Sequence, residues 1–159
     1  MKPGIFAPMF RFAAALVCLA LAGCAPPTEE AAKNAKRLIS AAWADDRPRF
    51  EAKIDRDAVR EDLRRQLLEA GRASGIEVDG GPSDLALDRM IGPEAVRASV
   101  PEAVAQGPTE NIQKGLKSVD DGKACLPDEA SGACLLTFGR QKGAWRLVGL
   151  HVGGPSSYE

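Results

Sequence analysis

The chain has 159 residues, 21 basic and 22 acidic side chains, and a formal net charge of −1 at pH 7. A balance so close to zero argues against the extended positive surface of a nucleic-acid-binding protein, so no nucleic-acid partner is expected. One histidine and four cysteines are the only imidazole and thiolate metal ligands, and no cofactor or metal site is expected.

Lys2 and Arg11 precede an apolar run over residues 12–22. The run is too short to span a bilayer, which takes roughly 20 apolar residues, and has the length of a signal-peptide core. It ends in Leu21-Ala22-Gly23-Cys24. Here the chain resembles the bacterial lipoprotein signal, in which a Leu and two small residues precede a Cys. The resemblance implies that the Cys24 thiol takes a diacylglycerol and that residues 1–23 are cut away. Residues 24–34 then form the lipidated cysteine and a tether, and the membrane becomes a partner through palmitate-class chains. Each buried methylene of such a chain contributes about 0.8 kcal/mol, so several chains hold almost permanently. Ala25, where an Asp would retain the protein in the inner membrane, points to the outer membrane facing the periplasm. The competing reading is an ordinary secretory signal cut near Ala25. Losing Lys2 and Arg11 with the signal leaves 19 basic against 22 acidic side chains, a net charge of −3.

Pro26, Pro27 and Thr28-Glu29-Glu30 lead into a helix on which Ala35, Leu38, Ile39, Ala42 and Trp43 recur on one face. Asp45-Asp46 end it, and Pro48 suits the first turn of a short helix carrying Phe50 and Ile54. With Asp55 or Asp57 as N-cap, a third helix runs to about Gly71, with Val59, Leu63, Leu67 and Ala70 inward. Its other face interleaves Arg56, Arg60, Arg64, Arg65 and Arg72 with Glu61, Asp62 and Glu69; Glu61 to Arg65 is a favourable four-residue spacing. Residues 75–83 are a Gly-rich linker without the context of a phosphate loop. Ser83 caps a helix through Met90, and Gly92-Pro93-Glu94 starts another that is interrupted near Pro101; Gly107-Pro108 closes the helical half.

The last third reads as strand. Residues 134–138 and 144–152 are β-rich and separated by Gly139-Arg140-Gln141-Lys142-Gly143, an antiparallel hairpin; a weaker strand is expected between Ile112 and Leu126. Alternation places Trp145, Leu147, Gly149 and His151 on one face and Arg146, Val148, Leu150 and Val152 on the other. With both faces largely apolar, the second strand reads as central. Cys18 leaves with the signal and Cys24 carries lipid, so Cys125 and Cys134 remain as a pair in an oxidising compartment. The turn-rich segment between them predicts a disulfide across the base of a loop. A metal site on both thiols and His151 lacks a fourth ligand.

The segments Ala41-Ala42-Trp43-Ala44-Asp45-Asp46, residues 54–63 with Gln66-Leu67, and residues 87–96 resemble a family of small bacterial proteins known as domain of unknown function 2939. The resemblance implies class and fold and assigns no activity. Together these readings predict a single α+β domain over residues 35–159, with N-terminal helices packed on a C-terminal antiparallel sheet, in the manner of cystatin-like or nuclear-transport-factor-like proteins. No Ser elbow, Walker loop or dinucleotide fingerprint occurs, and a lone strand histidine lacks the oriented partner that catalysis needs. The acidic pairs Asp45-Asp46 and Asp120-Asp121 fall at a helix end and a turn. The expectation is a non-enzymatic, membrane-anchored periplasmic lipoprotein acting as a binding or envelope-structural module. Trp43, Phe138, Trp145 and His151 are the expected liners of a pocket for a small apolar ligand or an envelope protein. The alternative is a small hydrolase-like enzyme using a pocket near His151.

Overall fold

A computed structural model describes residues 27–75, 80–119 and 122–151. The signal-type segment, Cys24, Asp120-Asp121 and Val152 lie outside the described residues.

Seven helices precede a four-stranded antiparallel sheet among the described residues, an α+β arrangement with its helices N-terminal to the strands. None of these helices is long and apolar enough to cross a membrane. Helix α1 (Pro27–Trp43) starts well before residue 35, so most of the expected tether is helix, and Ala31 and Ala32 are fully buried. Its predicted face is inward: Ala35, Leu38, Ile39 and Ala42 are fully buried and Trp43 half-buried. The turn at Asp45, where φ is +52°, lets Asp46 accept a hydrogen bond from the Arg49 N–H as N-cap of α2 (Arg47–Glu51). Phe50 is buried on α2, whereas Ile54 lies beyond it and forms an isolated parallel bridge to Leu147.

Asp55 caps α3 (Arg56–Ala73) by accepting from the Ala58 N–H. Val59 and Leu63 are buried, Leu67 is half-buried, and Ala70, near the helix end, is exposed. Arg56, Arg60, Arg64 and Arg65 are paired, but at different spacings from the one predicted, and Arg72 makes no ion pair among the described residues. Arg64 bonds Glu61 and Arg65 bonds Asp62, each three residues apart, and Arg56, Arg60 and Arg64 reach across to Asp88 or Asp84 on α4 (Asp84–Met90). Ser83 caps α4 as expected, and Pro101 separates α5 (Pro93–Ser99) from α6 (Glu102–Gln106). Gly107-Pro108 does not end the helical half, because α7 (Thr109–Gly115) follows and buries Ile112 beneath α1. The strand expected from Ile112 onward is therefore two short ones, β1 (Lys117–Ser118) and β2 (Lys123–Pro127).

The sheet is a meander in the order β1-β2-β3-β4, with β3 (Cys134–Gln141) and β4 (Ala144–Leu150) as its longest pair. Their turn is two residues, Lys142 and Gly143, both at positive φ, a geometry that matches the twist of the strands it joins. Residues 139–141, expected in the turn, are thus strand. Strand β4 is an edge strand, not a central one. Its outer edge is covered instead: the Asp55 N–H donates to Leu147 O, the Leu147 N–H to Lys53 O, and the Gln66 side-chain amide to Leu150 O. This covering protects an edge that would otherwise invite another strand. A register shift between Thr137 and Phe138 leaves Val148 as an extra residue, so Leu147 and Leu150 both reach the main core. Gly149 lets α3 come close, since a Cβ there would lie 2.8 Å from Asp62 Oδ2 and 3.1 Å from Thr137 Cβ.

Candidate functional site

The four expected pocket liners do not converge. Phe138 is 1% exposed and Trp145 3% exposed, and both belong to the core between sheet and helices. Trp43 donates its indole Nε1–H to Val100 O at 3.2 Å and so ties the end of α1 to the end of α5. His151 follows β4, is exposed, and donates its backbone N–H to Leu135 O at 2.9 Å. The extra residue in β4 breaks the strict alternation that placed His151 on the face of Trp145. Aromatic rings at inward strand positions are the bulkiest fillers available for the layer under the helices, and they are used there. Among the described residues His151 makes no ion pair, and no group of three His, Cys, Asp or Glu side chains could hold a metal.

Cys125 and Cys134 are joined by a disulfide, with Cα atoms 5.6 Å apart. Cys125 is buried outside the main core cluster, opposite Thr137 in register. The bridge closes a loop that Asp128 organises. Its carboxylate accepts from the Ser131 hydroxyl at 2.7 Å and the Ser131 N–H at 2.9 Å, and these bonds hold Asp128 below the usual carboxylate range.

Two grooves lie elsewhere, and neither contains Trp43, Phe138, Trp145 or His151. The first, of about 540 Å³, runs between α5–α7 and the β2–β3 hairpin, beside the disulfide loop. Val100, Val104, Ile112, Leu126 and Leu135 line it, and Asn111, Asp128 and Glu129 supply polar groups. It exists because Pro101 and Pro108 cut one helical stretch into three short pieces that turn around the end of the sheet. Lys36 holds these pieces to α1 by donating to the carbonyls of Val104, Ala105 and Gly107, which satisfies acceptors at the end of α6.

The second groove, of about 490 Å³, lies between α1 and α2, with Lys36, Arg37, Arg49 and Lys53 on its walls and Asp46 as its one acidic residue. No local pattern in the sequence reveals it, since its cations come from α1, α2 and the turn after α2, and only Lys36-Arg37 are adjacent in the chain. No family model, curated protein or solved structure matches this chain.

Proposed function

We propose that the protein is a lipid-anchored cell-envelope module that holds an apolar group, of a small ligand or of an envelope protein, in the groove between α5–α7 and the β2–β3 hairpin. The carrying observation is that groove: half-buried and buried aliphatic side chains around about 540 Å³, with a few polar groups at one end, is the usual constitution of a binding cleft. The anchor rests on the Leu21-Ala22-Gly23-Cys24 motif. Helix α1 begins three residues after Cys24, so a lipid there would keep the domain within roughly 10 Å of the bilayer surface. The resemblance to domain of unknown function 2939 belongs to the same reading and adds no activity.

Two measurements test the proposal. Cells fed radioactive palmitate label the wild-type chain, and Cys24→Ser accumulates as an unlabelled precursor; an unlabelled wild type defeats the anchor. Native mass spectrometry of the full chain purified from its own host shows a co-purifying apolar ligand or partner that Val104→Arg loses. A bare mass for the wild type defeats the binding role.

A further inference from the structure

The arginines of this protein are mostly compensated. Arg56, Arg60, Arg64 and Arg65 on α3 each lie in an ion pair, as do Arg47, Arg97 and Arg140 elsewhere. The groove between α1 and α2 departs from that pattern. Its four cations face one carboxylate, a local excess of three positive charges on a chain whose net charge is −1.

The partners these cations do have are weak or neutral. Arg37 is exposed, makes no hydrogen bond or ion pair among the described residues, and has Lys33, Asn34, Ser40 and Ala41 as helical neighbours three and four residues away. Lys53 reaches only the neutral Asn34 Oδ1, at 3.4 Å. Lys36 is fixed by backbone carbonyls, which orient its ammonium without cancelling its charge. Arg49 meets Asp46 at 3.2 Å, but its side chain is 83% exposed, and the Asp46 carboxylate also accepts from the α2 backbone as its cap. Ala41, Ala44 and Ala52 leave the space between these cations open. The Arg37 and Arg49 guanidinium forks and the Lys53 ammonium suit a phosphate oxygen cluster, with the forks giving bidentate contacts, while Lys36, whose N–H groups are taken by the α6 carbonyls, adds only its charge.

We infer that this groove binds the phosphate of an anionic phospholipid headgroup. The choice of a lipid over free phosphate rests on the anchor reading above. Lys36 lies nine residues along α1, about 14 Å of helix from Pro27, so the groove meets the headgroups when α1 lies along the surface that carries the lipid, an orientation the short tether permits. Cations near such a surface act over about one Debye length, roughly 8 Å at physiological salt.

The test uses the full chain in neutral maltoside micelles, observed through backbone amide resonances. Short-chain phosphatidylglycerol shifts the amides of residues 36–41 and 49–53 to saturation, and matched phosphatidylcholine does not. The Arg37→Glu, Lys53→Glu double variant weakens that response at least about tenfold, while Lys123→Glu, Lys142→Glu, with the same charge change on the sheet, retains it. No saturable response, or equal loss in both variants, overturns the site. An equal response to inorganic phosphate at the same concentration overturns the lipid assignment. Failure of palmitate labelling, by contrast, would defeat the anchor and leave a saturable response to phosphatidylglycerol standing as headgroup binding.

Discussion

Phe138 and Asp88 show how single side chains are committed to the fold. Phe138 pairs with Leu147 across β3 and β4 and is almost wholly inside, so its ring is core filling and not the wall of an open pocket. Phe138→Ala should then cost about 3–5 kcal/mol and lower the Tm by more than about 10 °C, read by circular dichroism. A Tm within two or three degrees of wild type, marked only by altered ligand binding, would return Phe138 to the role the sequence suggested. Trp145 carries a cost in the same layer, because its buried indole N–H meets no acceptor among the described residues. Asp88 works at the surface between α3 and α4. A hydrogen bond from Arg60 chiefly, with Arg60 charge and Arg56 adding to it, holds its carboxyl below the usual carboxylate range against a desolvation cost. A carboxyl depressed on folding stabilises the protein above its unfolded pKa, about 3.9, and loses that contribution as pH falls through the folded value. Asp88→Asn should therefore lower the Tm at neutral pH, with the difference from wild type narrowing below about pH 4. A difference of the same size at pH 7 and well below pH 3 would show that the charge of Asp88 is not what stabilises.

The elements differ in how openly the chain announces them. Helix α3 has a capping Asp55, an inward Val59 and Leu63 and a charged outer face, and each is a local signal that survives into the structure. Helix α7 has none of this. It has a single buried apolar residue, Ile112, and no side-chain cap, so it forms because α1 lies over it, which no local pattern reveals. Strand β4 was misplaced for a similar reason. Its outer edge is taken not by a fifth strand but by the chain from Lys53 to Asp55 and the α3 side chain of Gln66, contacts made from about 90 residues away in sequence. The disulfide was readable because it needs only two surviving thiols and a turn between them. Cys125 and Cys134 are separated by nine residues, and closing such a loop stabilises by roughly 2.6 kcal/mol in the chain-entropy account. Reduction should lower the Tm by roughly 10 °C without unfolding the domain at room temperature, since the bridge lies outside the main core cluster. Two freely alkylated thiols at Cys125 and Cys134 in protein purified from its host without reductant would remove the bridge from the account.

At the scale of the molecule, the class was legible and the site was not. Helical periodicity followed by a Trp-bearing hairpin specifies helices laid on an antiparallel sheet, because each apolar face has to be covered by another. Grooves arise where elements fail to meet, as between Pro101, Pro108 and the β2–β3 hairpin, and the sequence records contacts more readily than gaps. The cations of Lys36, Arg37, Arg49 and Lys53 become neighbours only when the turn at Asp45 folds α2 back along α1. Helix α1 is the common support of this architecture, touching α2, α5, α6, α7, β3 and β4. Any mechanical load arriving from the amino-terminal side enters the domain through that one strut. Such a load cannot peel away an outlying piece first: displacing the start of α1 exposes Ala31 and Ala32, and the next turns carry Leu38 and Ile39, on which the remaining elements bear. A pull on α1 thus meets the domain at the point where yielding is most costly, and the domain answers it as one stiff body.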